Sequence, residues 1–563
     1  MNRSYVILLM LTAVLIVVAP RAAMSQNSCP ICQRFNPGSV VTEPPSLFSQ
    51  NGVLKVTFNY NTIVDSNGIT RYCFMTTNGL ESPTLHVNPG DTLIMTVTNN
   101  VPENPALELT LNPPFCDDPD ADASSLNVHF HGTNTSPQCG SDQVIKTSIN
   151  SGNTYTYTIV FPTNEPPGIY WYHPHIHGIA EAAVQGGASG AIVVDGIQNL
   201  QPAVSGLPER TLMIRDQPVP GNPTPGGNVP SWDVTLNYVT VSSSPTFTPA
   251  IIQIKPGEKE FWRVVNACAD TIIDVQLVYD GVAQPLQIVG LDGVPVNSQD
   301  GAQPGSTFTQ TDLLLAPAAR GEFIITGPST RVKNATFQTL NIDTGPDGDN
   351  DPTRPLATLV ASNGAPEPPQ SIPPVNGPAW TQRFAGLATA AVTARRSLYF
   401  SEVLQDPSNP SGPTNFFITV QGATPTLFSP NNPPSIVTHQ GAVEDWTISN
   451  EALENHEFHM HQIHFLLMAI NGVPVPPNQQ QYLDMIQVPF WSGSGPFPSV
   501  TVRMDFRGAD IGDFVYHCHI LGHEDNGMMA IIRVLPAETA ETKGKGSAKT
   551  HGVTVAQASR QLD

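Results

Sequence analysis

Twelve of the fifteen histidines fall into four short clusters. The first is His129-Phe130-His131. The second is His173-Pro174-His175-Ile176-His177. The third runs from His456 through His459 and His461 to His464. The fourth is His517-Cys518-His519, followed by His523, Glu524 and Met528. Imidazole is the commonest side-chain metal ligand. A lone His-x-His is often a surface coincidence, but four clusters in a chain with so few other histidines point to metal binding. Side chains alternate across a strand, so the two histidines of His-x-His share one side. His517 and His519 therefore face one way and Cys518 the other, which lets one short segment touch two metal sites and join them covalently. Pro174 puts the second cluster at a strand edge or end. His456, Cys518 and His523, with Met528 as a weak axial ligand, form the donor set of a blue copper site. Structural zinc favours close Cys pairs and gains nothing from a methionine. Imidazole-rich donors also exclude carboxylate-built magnesium or calcium sites.

Strands must carry these clusters. Three segments share one pattern: Thr84 to Asn99 around Gly90, Ile252 to Asn266 around Gly257, and Ile436 to Asn450 around Gly441. The glycine precedes the asparagine by nine residues each time, and Trp262 and Trp446 each lie five after their glycine. Each reads as strand, turn, strand, and the spacing suits one β-sandwich per repeat. The expected class is all-β, with three sandwich domains at residues 26–200, 205–362 and 381–536. Turn-rich residues 195–210 and the proline-rich stretch 362–380 are the linkers. The middle domain carries no cluster and reads as a spacer. Residues 537–563 read as a disordered tail.

Composition agrees. Only 13% of the 563 residues are charged and 55 are proline, which suits short strands joined by turns. A formal charge of -22 all but excludes a nucleic-acid partner. Residues 1–25 read as a secretory signal: Arg3, an apolar run Val6 to Val18, then Ala23-Met24-Ser25. No other stretch is long and apolar enough to span a membrane. The expectation is a secreted or periplasmic monomer without a stable membrane anchor. With Cys518 set apart, Cys29, Cys32, Cys73, Cys116, Cys139 and Cys268 allow up to three disulfides. Cys29-x-x-Cys32 is alternatively a metal or redox pair.

On these four motifs the chain resembles the three-domain multicopper oxidases, the laccase-like family, over nearly all of its length beyond the signal. The resemblance implies three cupredoxin-like Greek-key domains and four copper ions. It implies a type 1 copper held by His456, Cys518, His523 and Met528. It implies type 2 ligands at His129 and His459, and ligands of a type 3 pair at His131, His173, His175, His461, His517 and His519. His177 and His464 fall outside that pattern. Glu457 stands where the family commonly has Pro, and Gln462-Ile463 where it has Gly-His, which makes an unusual substrate-side loop the expectation. The resemblance further implies that single electrons pass from a reduced donor by way of Cys518 to the cluster, where dioxygen becomes water. Asp142 and Glu524 match positions of acids that supply protons, or else hold a ligand in place.

Phenols and aromatic amines are the expected donors, with Fe(II), Mn(II) or Cu(I) as the rival class and copper sequestration as a third reading. Storage does not need Cys518, and 12 methionines with no Met-rich insert argue against Cu(I). Glu444, Asp445, Glu451, Glu454 and Glu457 surround His456 in sequence, and those among them that line its entry are expected to attract cations and repel anions.

Overall fold

The computed structural model describes residues 31–103, 115–117, 121–218, 229–242, 246–297, 305–368, 383–409 and 412–537. The signal-like segment 1–25, Cys29 and all but the first residue of the tail lie outside them. Among the described residues the chain is almost entirely β, and no helix is long and apolar enough to cross a membrane.

Period-2 burial makes the strands. Thr92–Asn99 alternates intermediate and buried residues along its whole length, and Val443–Asn450 does so over all but its first positions. In each of the three repeats the strand before the glycine lies in one sheet and the strand after it in another. Gly90, Gly257 and Gly441 turn the chain between sheets with φ of 89°, 70° and 94°, a left-handed conformation that costs glycine least. After the turn, Thr92–Asn99, Lys259–Asn266 and Val443–Asn450 each pair parallel with an earlier strand: Val53–Val64, Glu209–Gln217 and Ala394–Leu404. The topology thus recurs three times.

The repeated asparagine closes each unit in the same way. Its buried amide donates to two main-chain carbonyls: Ser124 and Ile149 for Asn99, Thr271 and Leu315 for Asn266, Glu454 and Val488 for Asn450. Its oxygen accepts the N–H two residues on, at Val101, Cys268 and Ala452. The two tryptophans also share a partner set. Trp262 donates to Glu260, which Arg210 grips, and Trp446 donates to Glu444, which Arg396 grips.

The strands that carry histidines are buried on both faces. In Gly168–His173, Tyr170 and Tyr172 enter the core of the first sandwich, while Ile169 and Trp171 enter that of the middle one. Met485 of the third sandwich joins the middle core too. Helix Ala180–Gln185 follows the second cluster, and Asp525 caps its start by accepting from Gly178 and Glu181 N–H. These contacts fix the outer sandwiches against each other.

Two disulfides form among the described residues, within the expected limit of three, and Cys268 takes no part. Cys32 pairs with Cys73 and Cys116 with Cys139, whereas Cys268 is a buried free thiol. Cys32 is therefore not half of a Cys-x-x-Cys pair. Cys268 sits in the core beside the Asn266 turn, where packing rather than oxidation accounts for it.

Asn266→Ala tests the repeated lock away from the histidines. It strands two carbonyls and one N–H, each costing ~1–3 kcal/mol when buried and unmet. A thermal midpoint lower by about 2–4 °C per kcal/mol is expected. An unchanged midpoint by scanning calorimetry would show that the asparagine is dispensable.

Candidate metal centre

Strand His129–His131 pairs antiparallel with Gly168–His173, setting His129 opposite His173. Strand His456–Met460 pairs antiparallel with Gly512–Cys518, setting His459 opposite His517 and Phe458 opposite Cys518. Phe130 enters the first core, and Phe458 and Cys518 the third. The alternation turns His129, His131, His459 and His517 outward, where the two sandwiches meet. Rings from opposite sandwiches then stack: His129 on His461 at 3.8 Å between centroids, and His131 on His459 at 4.0 Å.

Three groups of nitrogens converge there: His129, His131 and His459; His131, His173 and His519; His175, His461 and His517. In the last, the three Nε2 atoms lie 3.1 to 3.3 Å apart. Burial pushes the imidazoles of His129, His131, His173, His175, His459, His461 and His519 well below their usual pKa, and holds His517 at about 3. They are neutral, the ligating form. The second nitrogen is held in most of them. His129 Nδ1 meets Asp142 at 3.0 Å, His173 Nδ1 the Pro174 carbonyl at 2.8 Å, His459 Nδ1 the Asp484 carbonyl at 2.8 Å, and His517 Nδ1 the Cys518 carbonyl at 2.8 Å. The nitrogens aimed inward, among them His129 Nε2, His131 Nδ1, His173 Nε2 and His459 Nε2, are buried without a hydrogen-bond partner. Orphaned lone pairs crowded in a dry space fit a soft, imidazole-loving cation such as copper.

A second, smaller set lies on the far side of the same strand. His456 Nδ1 and His523 Nδ1 are 3.0 Å apart, and Cys518 Sγ is 3.7 Å from each. The Glu457 N–H points at that sulfur from 3.3 Å. Met528 is fully buried in the same core, and its main chain bonds both Cys518 and His523. Burial lowers the pKa of His523, but the Glu454 carboxylate 3.4 Å from its Nε2 more than offsets this and raises it. Thiolate, two imidazoles and a nearby thioether match a copper donor set.

The two candidate acids differ. Asp142 is fully engaged: it meets His129, accepts the Phe130 N–H and accepts from Gln462 at 2.7 Å. Glu524 is buried with neither oxygen hydrogen-bonded, 3.5 Å from His175 Nδ1 and 3.4 Å from His517 Nδ1. Desolvation pushes both carboxyls well above the usual range.

Asp484 gave no signal in the sequence, whereas His464 and His177 belonged to clusters without matching the ligand pattern. Asp484 bonds Arg320 of the middle sandwich and faces His131. His464 is buried and bonded to the Asp292 carbonyl, and His177 packs edge-on against Phe428. The residues expected to make an unusual loop, Glu457 and Gln462-Ile463, are buried. Gln462 secures Asp142, and Glu457 is buried against Gln487.

A cleft of about 1570 Å³ opens beside His523. Of the five acids near His456 in sequence, Glu451 and Glu454 line it. Glu444 is taken by Arg396 and Asp445 by Arg503, and Glu457 is buried elsewhere. Glu402 and a middle-sandwich loop with Asp343, Asp347, Asp349 and Asp351 complete the wall, and no Lys or Arg is among the described lining residues. Phe416 stacks on His523 at 4.2 Å. Desolvation and a hydrogen bond to Glu454 push Glu402 up to about 8.

Comparison with known proteins agrees with this geometry. Family models described as multicopper oxidase match residues 122–199 and 403–538. A multicopper oxidase of Staphylococcus haemolyticus is 22% identical over 464 residues, covering 81% of this chain and 82% of that protein. A Bacillus subtilis laccase is 23% identical over 500 residues, covering 80% and 88%. The structure of a Campylobacter jejuni multicopper oxidase, described as a metallo-oxidase, superposes with a TM-score of 0.63 at 21% identity, covering 89% of this chain and 96% of that one. Sandwiches, buried imidazoles and the Cys518 set agree with these matches: residues 122–199 and 403–538 match multicopper oxidase models, and the fold is that of multicopper oxidase structures.

Proposed function

We propose that the chain takes single electrons from small donors beside His523 and reduces dioxygen to water among the eight histidines. The observation that carries this reading is the run His517-Cys518-His519, which puts a thiol in one donor set and its two neighbours in the other. Four copper ions are inferred. His456, Cys518, His523 and Met528 would hold one, and His129 with His459 another. His131, His173 and His519 would hold a third, and His175, His461 and His517 the fourth. Copper in these sets supplies one-electron redox chemistry and the four electrons that dioxygen requires. The chain's own residues do the rest. Asp142 orients His129 through Nδ1. Glu524 keeps a proton on its unpaired carboxyl beside His175 and His517, ready to deliver it. Tight burial of the imidazoles excludes bulk water. Two disulfides support export to an oxidising compartment, secreted or periplasmic.

The acidic cleft favours cationic or neutral donors, such as aromatic amines and methoxyphenols, over anions. The same carboxylates support a second reading, oxidation of Fe(II) or Mn(II), whose preferred ligands are oxygens. No methionine is among the described lining residues to attract Cu(I).

Copper-loaded protein is expected to be blue and to consume dioxygen with a phenol or amine. Cys518→Ser should lose the colour and turnover while keeping most copper at the eight histidines. A colourless loaded wild type sinks the assignment.

Glu524→Gln should leave anaerobic bleaching by donor intact and slow reoxidation by dioxygen, by about 10²–10⁴-fold if Glu524 is the general acid. Stopped-flow absorbance separates the two phases, and slower bleaching would contradict the role.

Asp347→Asn with Glu451→Gln should lower kcat/KM for a cationic amine on the order of 10-fold at low salt, and raise it for a sulfonated dye. High salt should shrink both effects. Fe(II) outrunning every organic donor in the wild type would favour the metal-ion reading.

A further inference from the structure

We propose that Arg320, in the middle sandwich, is a positioning residue for the eight-histidine centre and acts through Asp484 of the third. The inference rests on the reading that these imidazoles hold copper.

Arg320 and Asp484 are both fully buried and form a forked pair, Nη1 to Oδ1 and Nη2 to Oδ2, each at 2.6 Å. The same Asp484 Oδ1 lies 3.3 Å from Nε2 of His131, which belongs to the first sandwich. The main-chain oxygen of Asp484 accepts from Nδ1 of His459 at 2.8 Å. One aspartate thus holds two imidazoles by opposite ring nitrogens. His131, giving its Nε2–H to the carboxylate, presents Nδ1, and His459 presents Nε2. Both presented atoms are buried without a partner. A neutral imidazole carries its proton on one nitrogen, so the acceptor on one side decides which lone pair faces the other.

Arg320 is what keeps that acceptor aimed. Its own guanidinium is pinned by the carbonyls of Ile169 and Ala318, at 3.2 and 3.3 Å. Its N–H donates to Asp292, which also accepts from the N–H groups of Asp484 and Met485. Arg320 therefore contacts all three sandwiches directly or through one carboxylate. The space is filled at the next residue too. A Cβ on Gly132 would come within 2.3 Å of Arg320 Nη2 and 2.5 Å of Asp484 Oδ2, and Gly132 has φ of 82°. The residue after His131 is glycine because the ion pair occupies the place of a side chain. A plain inter-domain salt bridge would not need its carboxylate on a ligand ring. Lysine would supply the charge but not the planar fork.

The test uses the full-length copper-loaded protein and three variants: Arg320→Met, Arg320→Lys and Asp484→Asn. Copper affinity is read by chelator competition, and the paramagnetic copper signal is recorded on a Cys518→Ser background. The blue absorption of the His456, Cys518 and His523 set reports folding independently. Arg320→Met is expected to keep the blue band, lose about 10- to 100-fold in affinity at the eight histidines, and shift the paramagnetic signal. Arg320→Lys should recover only part of this. Should Arg320→Met lose the blue band, the isosteric Asp484→Asn decides by the same readings. Unchanged affinity and signal in a variant that keeps its blue band would overturn the inference. A wild type that binds no copper would instead overturn the reading on which it rests.

Discussion

Eight neutral imidazoles buried between two β-sandwiches, with lone pairs aimed at one another, set the constraint on which the rest of the molecule depends. Each unpaired buried nitrogen costs free energy, and His129 Nε2, His131 Nδ1, His173 Nε2 and His459 Nε2 are buried without a hydrogen-bond partner. A bound cation would relieve that arrangement. The scaffold must therefore hold ligands from two sandwiches in place before the cation arrives. Much of the architecture serves this purpose. Strand Gly168–His173 is packed on both faces, and Asp525 of one outer sandwich caps the helix of the other.

Strand alternation does a second job. Because Cys518 faces the third core and His517 the interface, the two donor sets lie on opposite faces of one strand. Their separation is fixed by covalent geometry and the sheet ladder rather than by loops. This also explains the contrast in exposure. His517 and His519 are sealed, whereas His523 reaches the edge of an acidic cleft. The proposed function uses this contrast: a donor would meet the chain at the cleft, and water would be kept from the imidazoles.

Much of this was legible in the sequence because its signals were local. His-x-His fixes a shared face, and the nine-residue glycine-to-asparagine spacing marks a turn between sheets with one hydrogen-bond pattern behind it. What escaped notice was made by contacts distant in the chain. Asp484 stands 353 residues from His131 and 164 from Arg320, and nothing in Tyr482-Leu483-Asp484 announces a ligand-holding carboxylate. Which acids face the cleft was hidden for a related reason. Glu444 and Asp445 lie near His456 in sequence, but their strand turns them toward Arg396 and Arg503. The loop that does face His523 comes from the middle sandwich. The pairing of cysteines was open for a similar reason, since Cys268 looks like the other cysteines until its core neighbours are known.

The middle sandwich follows from the same physics. Taken alone, a domain without ligands looks like a spacer. Its contribution is charge in two places where the outer domains have none to spare. At the cleft its aspartates extend a negative wall that the third sandwich only begins with Glu402, Glu451 and Glu454. At the interface Arg320 balances Asp484 in a region where an unpaired carboxylate would be costly. Removing that cation would leave Asp484 without its forked partner, and a carboxylate no longer held in place would be lost as the acceptor for His131. An outer pair of sandwiches could bring eight histidines together, but a third body is needed to supply a buried positive charge beside them without adding another ligand.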